Sequence, residues 1–195
     1  RLWRTGEILL DRPDVESEIR NVLHYVSSVF PGVLQLVSER FRQSWQYAFP
    51  GSEPPSEPSL NFGTWVGGDR DGHPFVTTGV TRYALETLHA RTLAVLRESL
   101  QSLAGRLSLS DAMQAAPPSL HERIARYTGL TRGGGATARE YQDEPWRHLV
   151  NLMLARVPMP GDARPPDYCY RLPEEFEEDL RFLDASLRAV GAQGV

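Results

Sequence analysis

Residues 77–107 read TTGVTRYALETLHARTLAVLRESLQSLAGRL, with leucines at Leu85, Leu88, Leu96, Leu100, Leu103 and Leu107 and no proline anywhere in the run. Steps that combine to multiples of three and four bring side chains onto one face of an α-helix, so this stretch predicts a long amphipathic helix with a buried leucine stripe. Thr77 stands where a hydroxyl can accept the free N–H groups of the first turn. Toward the N-terminus, Val15, Ile19, Val22, Val26 and Val29 keep the same spacing between Asp14 and Phe30, and Val33, Val37, Phe41, Trp45 and Ala48 continue it to Pro50. Pro31-Gly32 lies between the two runs, which read either as two helices with a short break or as one helix kinked at Pro31. Toward the C-terminus a short helix is expected over Ser119 to Tyr127. Another starts at Pro145, a residue suited to a first helical position, with Trp146, Leu149, Val150, Met153 and Leu154 inward. The last covers Pro173 to Val190, with Phe176, Leu180, Leu183, Leu187 and Val190 along one side. Segments 50–60, 130–138 and 158–168 are rich in proline, glycine and polar residues and read as exposed, mobile loops. The fold class is therefore all-α, a single helical segment across residues 1–195 with no internal repeat.

Composition narrows the functional classes. The 195 residues are 41% hydrophobic and 24% charged, ordinary values for a folded chain. The net charge of −4 lacks the basic excess that drives phosphate-backbone binding, so nucleic acid is not an expected partner. No window of about eighteen apolar residues exists to cross a membrane. The lone Cys169 excludes an intrachain disulfide and a multi-cysteine zinc site, which fits the cytoplasm. All 21 basic residues are arginine, which removes Schiff-base and other lysine chemistry from these residues. The first residue is Arg1 and not Met, and the chain is expected to be an internal piece of a longer protein.

One segment is hard to explain by packing alone. Between Trp65 and Pro74 the sequence Val66-Gly67-Gly68-Asp69-Arg70-Asp71-Gly72-His73 sets two carboxylates around one guanidinium, with glycines on both sides that let the backbone approach a ligand or another element closely. As residues alone, these describe either a polar helix-connecting turn closed by Asp69 and Asp71 or a binding loop. A calcium loop does not fit, because the position for a bidentate glutamate is Val80. The remaining histidines, His24, His89, His121 and His148, lie in helical runs without metal-ligand spacing and read as structural. The acidic run Glu174 to Asp179 lies early in the last helix, where negative charge suits the helix dipole.

The stretch Phe62-Gly63-Thr64-Trp65-Val66-Gly67-Gly68-Asp69-Arg70-Asp71-Gly72-His73-Pro74-Phe75-Val76-Thr77 resembles the F-S-S-W-M-G-G-D-R-D-G-N-P-x-V-T motif of the phosphoenolpyruvate carboxylase family. Trp3-Arg4-Thr5-Gly6-Glu7-Ile8 looks like that family's W/F-R-T-D-E-I, and Asp143-Glu144-Pro145-Trp146-Arg147 looks like its N-E-P-Y-R, in the same order and at similar spacing. The resemblance implies a predominantly helical enzyme built around an α/β barrel, a cytoplasmic homotetramer that uses magnesium or manganese. Such an enzyme turns phosphoenolpyruvate and bicarbonate into oxaloacetate and phosphate, an anaplerotic carbon fixation. Bicarbonate attacks the phosphoryl group to give carboxyphosphate and an enolate, which then captures CO2.

The resemblance places Trp65 in a hydrophobic wall that keeps water from the enolate; the alternative is an indole that only fills a core. Gly67, Gly68, Asp69, Asp71 and Gly72 fall in the active-site loop, with Arg70 either contacting an anion or locking the loop by salt bridges. Arg147 matches an arginine that in some members helps bind a sugar-phosphate activator, and its alternative is a surface arginine near a helix start. Leu9 and Leu10 stand where the family often carries an arginine pair of that activator site. The family's catalytic histidine segment, metal-binding acids and glycine-rich arginine loop have no counterpart in these residues, so no catalytic residue and no metal ligand is expected here and the segment by itself is expected to be inactive. The competing expectation is a stand-alone helical binding or regulatory module.

Overall fold

Asp14 opens the first helix by accepting the Ser17 N–H at 2.7 Å, and α1 runs over Val15–His24. The computed structural model describes residues 14–54, 56, 58, 60, 63, 65–69, 71, 74–131, 140–162 and 164–192. Trp3 to Ile8 therefore lie outside the described residues. At Pro31 the chain neither stops nor simply bends. It passes through a π-helical turn, Tyr25–Val29, into α2, Phe30–Ala48. The Phe30 N–H reaches the Tyr25 carbonyl five residues back, which closes the wider ring. A proline inside an α-helix lacks its N–H and collides with the carbonyl four residues earlier; widening the turn just before Pro31 relieves both.

The long helix is α3, Thr78–Arg106. Thr77 Oγ1 accepts the Val80 N–H at 3.3 Å, as its place in the sequence predicts. The leucine stripe needs one correction. Leu85 is 58% exposed, and the residue turned inward is its neighbour Ala84, at 2%. Successive helical residues are rotated by about 100°, so a stripe drawn through the larger side chains missed the small one on the buried face.

The chain gathers into two compact units, residues 1–92 and 93–195, and α3 contributes residues to both. In the first unit Ile19 and Leu23 of α1 pack with Ala84, and Val15, Val66 and Leu88 lie partly buried against them. No residue of α2 is buried. Its apolar side carries an aromatic row, Phe41, Trp45 and Phe49, with ring centroids 6.0 and 4.6 Å apart. The start of segment 50–60 is tied to this helix: the Trp45 indole N–H donates to Ser52 Oγ at 3.0 Å, and the Gln46 amide to the Ser52 carbonyl at 2.8 Å.

The second unit is built on α4, Pro118–Leu130, α5, Pro145–Arg156, and α6, Pro173–Ala189. Helix α4 extends past Tyr127 through Gly129, and Thr131 closes it by donating both its N–H and its hydroxyl to the Tyr127 carbonyl, each at 2.9 Å. In α5, Trp146, Leu149, Val150 and Met153 are buried, as the spacing predicts, and Leu154 is partly buried, but His148 and Leu152 are buried too. A helix buried on more than one side is the centre of its unit, and periodicity cannot reveal the second side. Burial pushes the His148 imidazole below its ordinary pKa. In segment 158–168, the Arg156 Nε donates to the Tyr168 carbonyl at 3.2 Å and the Tyr170 N–H returns to the Arg156 carbonyl at 2.9 Å. Of segment 130–138 only Leu130 and Thr131 are among the described residues. Every regular element among the described residues is helical, so the segment is all-α.

Candidate active-site loop

The loop that follows Gly63 is a closed turn. The N–H groups of Gly68 and Asp69 both point to the Trp65 carbonyl, at 3.2 and 3.3 Å, and the Asp71 N–H donates to Asp69 Oδ1 at 3.0 Å. Asp69 thereby serves as the short side chain that mimics a backbone turn. Gly67 holds the turn down. Its φ of +76° is a left-handed conformation that side-chain-bearing residues avoid, and a β-carbon there would lie 2.7 Å from Ala84 Cβ. Gly67 is buried, whereas Trp65 is 78% exposed and Phe75 is 73% exposed. The glycine anchors the loop on α3 and the indole stands out from it.

A hollow of about 200 Å3 opens beside the indole. Trp65, Asp69, Asp71 and Val76 line it from the loop, and Val15 and Glu18 from α1. The structure thus brings together Trp65, Gly67, Gly68, Asp69 and Asp71 of the sequence candidates, while Arg70 and Gly72 lie outside the described residues. The described lining carries three carboxylates and no cation, so an anion entering the hollow needs a positive charge from another residue. Among the described residues no group of three or more His, Cys, Asp or Glu is placed to hold a metal ion.

Arg147, the other candidate, belongs to the second unit and holds helix ends. Its Nε donates to the Ala104 carbonyl at 2.7 Å and one terminal nitrogen to the Gly105 carbonyl at 3.2 Å, while the other pairs with Glu144 at 2.6 Å. Arg97 returns the service, donating to the Leu154 and Val157 carbonyls at the end of α5 at 3.0 and 2.8 Å. Each helix thus sets a guanidinium on the last carbonyls of the other, where the helix dipole favours positive charge.

Sequence reasoning missed one polar centre. Asp179, read as part of a dipole-compensating acidic run, is 1% exposed. One carboxylate oxygen accepts from Arg123 and from the Tyr127 hydroxyl, both at 2.6 Å; the other accepts from Arg156 at 2.9 Å and the Tyr170 hydroxyl at 2.7 Å. The Arg156 guanidinium lies 4.3 and 4.1 Å from the Tyr127 and Tyr170 ring centres. Burial, reinforced by the bonds to Asp179, pushes both tyrosine hydroxyls above their ordinary pKa. A signal did exist: Asp179 falls three residues after Phe176 and four before Leu183, on the apolar face of α6.

The described residues set a glycine-anchored, exposed indole beside an acidic turn on an all-helical scaffold. The model of the family described as phosphoenolpyruvate carboxylase matches residues 1–195. A phosphoenolpyruvate carboxylase of Nocardia farcinica is 32% identical over 201 aligned residues, covering 97% of this chain and 21% of that protein. One from Xanthomonas oryzae is 32% identical over 96% of this chain and 20% of its own length, and one from Trichormus variabilis is 31% identical over 97% and 20%. The chain belongs to the phosphoenolpyruvate carboxylase family and spans about a fifth of the length of these relatives.

Proposed function

We propose that this segment supplies one wall of the active site of a phosphoenolpyruvate carboxylase, with Trp65 as the water-excluding surface. The observation that supports it is an indole 78% exposed on a turn that Gly67 anchors against α3, a costly exposure for a large apolar ring unless a ligand or another part of the protein meets it. In this reading bicarbonate attacks the phosphorus of phosphoenolpyruvate; the bond from phosphorus to the enol oxygen breaks, leaving carboxyphosphate and the enolate of pyruvate. Carboxyphosphate releases CO2 and phosphate, and the enolate carbon bonds to CO2 to form oxaloacetate. Protonation of the enolate by water would end in pyruvate instead, so an apolar face beside that carbon decides the product. Arg70, the one permanent cation of the loop sequence, either contacts an anion or locks the loop by salt bridges in this reading.

The described residues bring together no group of three or more His, Cys, Asp or Glu for the magnesium or manganese ion that belongs to this proposal. No described helix is long and apolar enough to cross a membrane. A cytoplasmic location and a homotetramer belong to the same proposal. The 195 residues alone are expected to be inactive, because one wall cannot position bicarbonate and phosphoenolpyruvate together. The test is Trp65→Ala in the full-length protein: the ratio of pyruvate to oxaloacetate is expected to rise roughly tenfold, equivalent to about 1.4 kcal/mol between the two competing barriers. A wild-type product ratio in that variant refutes the wall.

A further inference from the structure

We infer that Ala84 is a positioning residue for Trp65, acting through Gly67; the inference rests on the reading of Trp65 as the wall. Gly67 is the buried member of the turn from Trp65 to Asp69, while Trp65 and Gly68 are exposed and Val66 and Asp69 lie between. Toward α3 the turn has no slack. A β-carbon on Gly67 would meet Ala84 Cβ at 2.7 Å, Ile19 Cδ1 at 3.6 Å and the Val80 carbonyl oxygen at 3.8 Å. Ala84 itself is 2% exposed, closed in by Ile19 and Leu23 of α1, so a larger side chain there cannot turn away into solvent.

A push on Gly67 is passed to the indole by the turn's own bonds. Two consecutive N–H groups, of Gly68 and Asp69, share the Trp65 carbonyl, so the backbone from Trp65 to Asp69 moves as one hydrogen-bonded unit. The small side chain of Ala84 therefore sets how close the turn sits to α3, and with it the height of the indole above the hollow. Leu85, the next residue along, is 58% exposed and provides a control on the same helix.

The experiment uses the full-length protein and reads the partition between oxaloacetate and pyruvate together with kcat and KM for phosphoenolpyruvate. Ala84→Val is expected to raise the pyruvate share roughly fivefold and lower kcat for oxaloacetate, with KM changed by less than about twofold, since a displaced wall acts after substrate binding. Leu85→Ala should match wild type. In a Trp65→Ala background Ala84→Val should add nothing to the pyruvate share, because its effect runs through the missing indole. Ala84→Ser, one atom larger than alanine, carries the test if circular dichroism finds Ala84→Val unfolded, and is expected to shift the partition in the same direction by a smaller factor. Wild-type partition in folded Ala84→Val or Ala84→Ser, with Trp65→Ala altered, overturns the positioning role and leaves the wall standing. Wild-type partition in Trp65→Ala overturns the wall itself.

Discussion

The two units carry the same kind of apolar spacing, yet they use it differently. In the second, fourteen buried residues form one cluster around α5, and a four-partner polar clamp closes it at Asp179. In the first, the buried cluster among the described residues is Ile19, Leu23 and Ala84, and the aromatic row that runs along α2 to Phe49 stays at least partly open. The second unit carries Arg147 as a helix cap, and the first carries the exposed indole and the acidic turn. Periodicity states which face of a helix is apolar; it does not state what covers that face. A ring that meets a substrate cannot also be packed in a core, so the exposure of Trp65 is what the proposed role asks for.

The sharpest way to break the contrast is Asp179→Ala. Removing the carboxylate takes from the largely buried Arg156 the acid it pairs with and leaves Arg123 only the exposed Glu178 at 3.4 Å, and a loss of about 3–5 kcal/mol is expected by urea denaturation of the chain. A loss under about 1 kcal/mol would put the clamp on a par with a surface pair and erase the difference between the units. In the first unit, Ile19→Ala is expected to cost about 2–3 kcal/mol, within the range for truncating a buried isoleucine, since Ile19 is 2% exposed. Hydrogen exchange checks its reach: faster exchange should appear in α1 and the N-terminal half of α3 and leave α5 protected.

The smallest effect is alkaline. Tyr127 and Tyr170 hold their protons more tightly when folded than when unfolded. Their contribution is therefore complete below the unfolded pKa of about 10 and falls as pH rises above it, by up to about 1.4 kcal/mol per pH unit for each tyrosine. Tyr170→Phe should make the fall of the urea midpoint between pH 9 and 11 shallower. An unchanged slope would detach that hydroxyl from the clamp.

Much of this was legible in advance. The helices, the Thr77 cap, the disturbance at Pro31 and the inward set of α5 follow from local spacing and from what proline and threonine do to the backbone. The loop stood out because glycines and paired acids around Trp65 are hard to explain by packing alone, although Gly67 does pack against Ala84 and Asp69 does close the turn. What escaped were placements that depend on distant partners. Asp179 meets Arg123 across 56 positions, Arg147 meets Ala104 across 43, and Arg97 meets Val157 across 60. Ala84 escaped for another reason: its importance lies in being small, and a search for large apolar residues passes over it.

By itself, then, the sequence determined that this chain is helical and where its helices begin and end to within a few residues, and its motifs pointed to the family to which it belongs. The helices depend on interactions a few residues apart, whose geometry the backbone dictates. Only the tertiary structure decided that Ala84 and not Leu85 faces inward, that Arg147 caps a helix, and that Gly67 anchors Trp65 against α3. Those outcomes depend on which surfaces meet in space, and that is a property of the packed chain that no single helix contains.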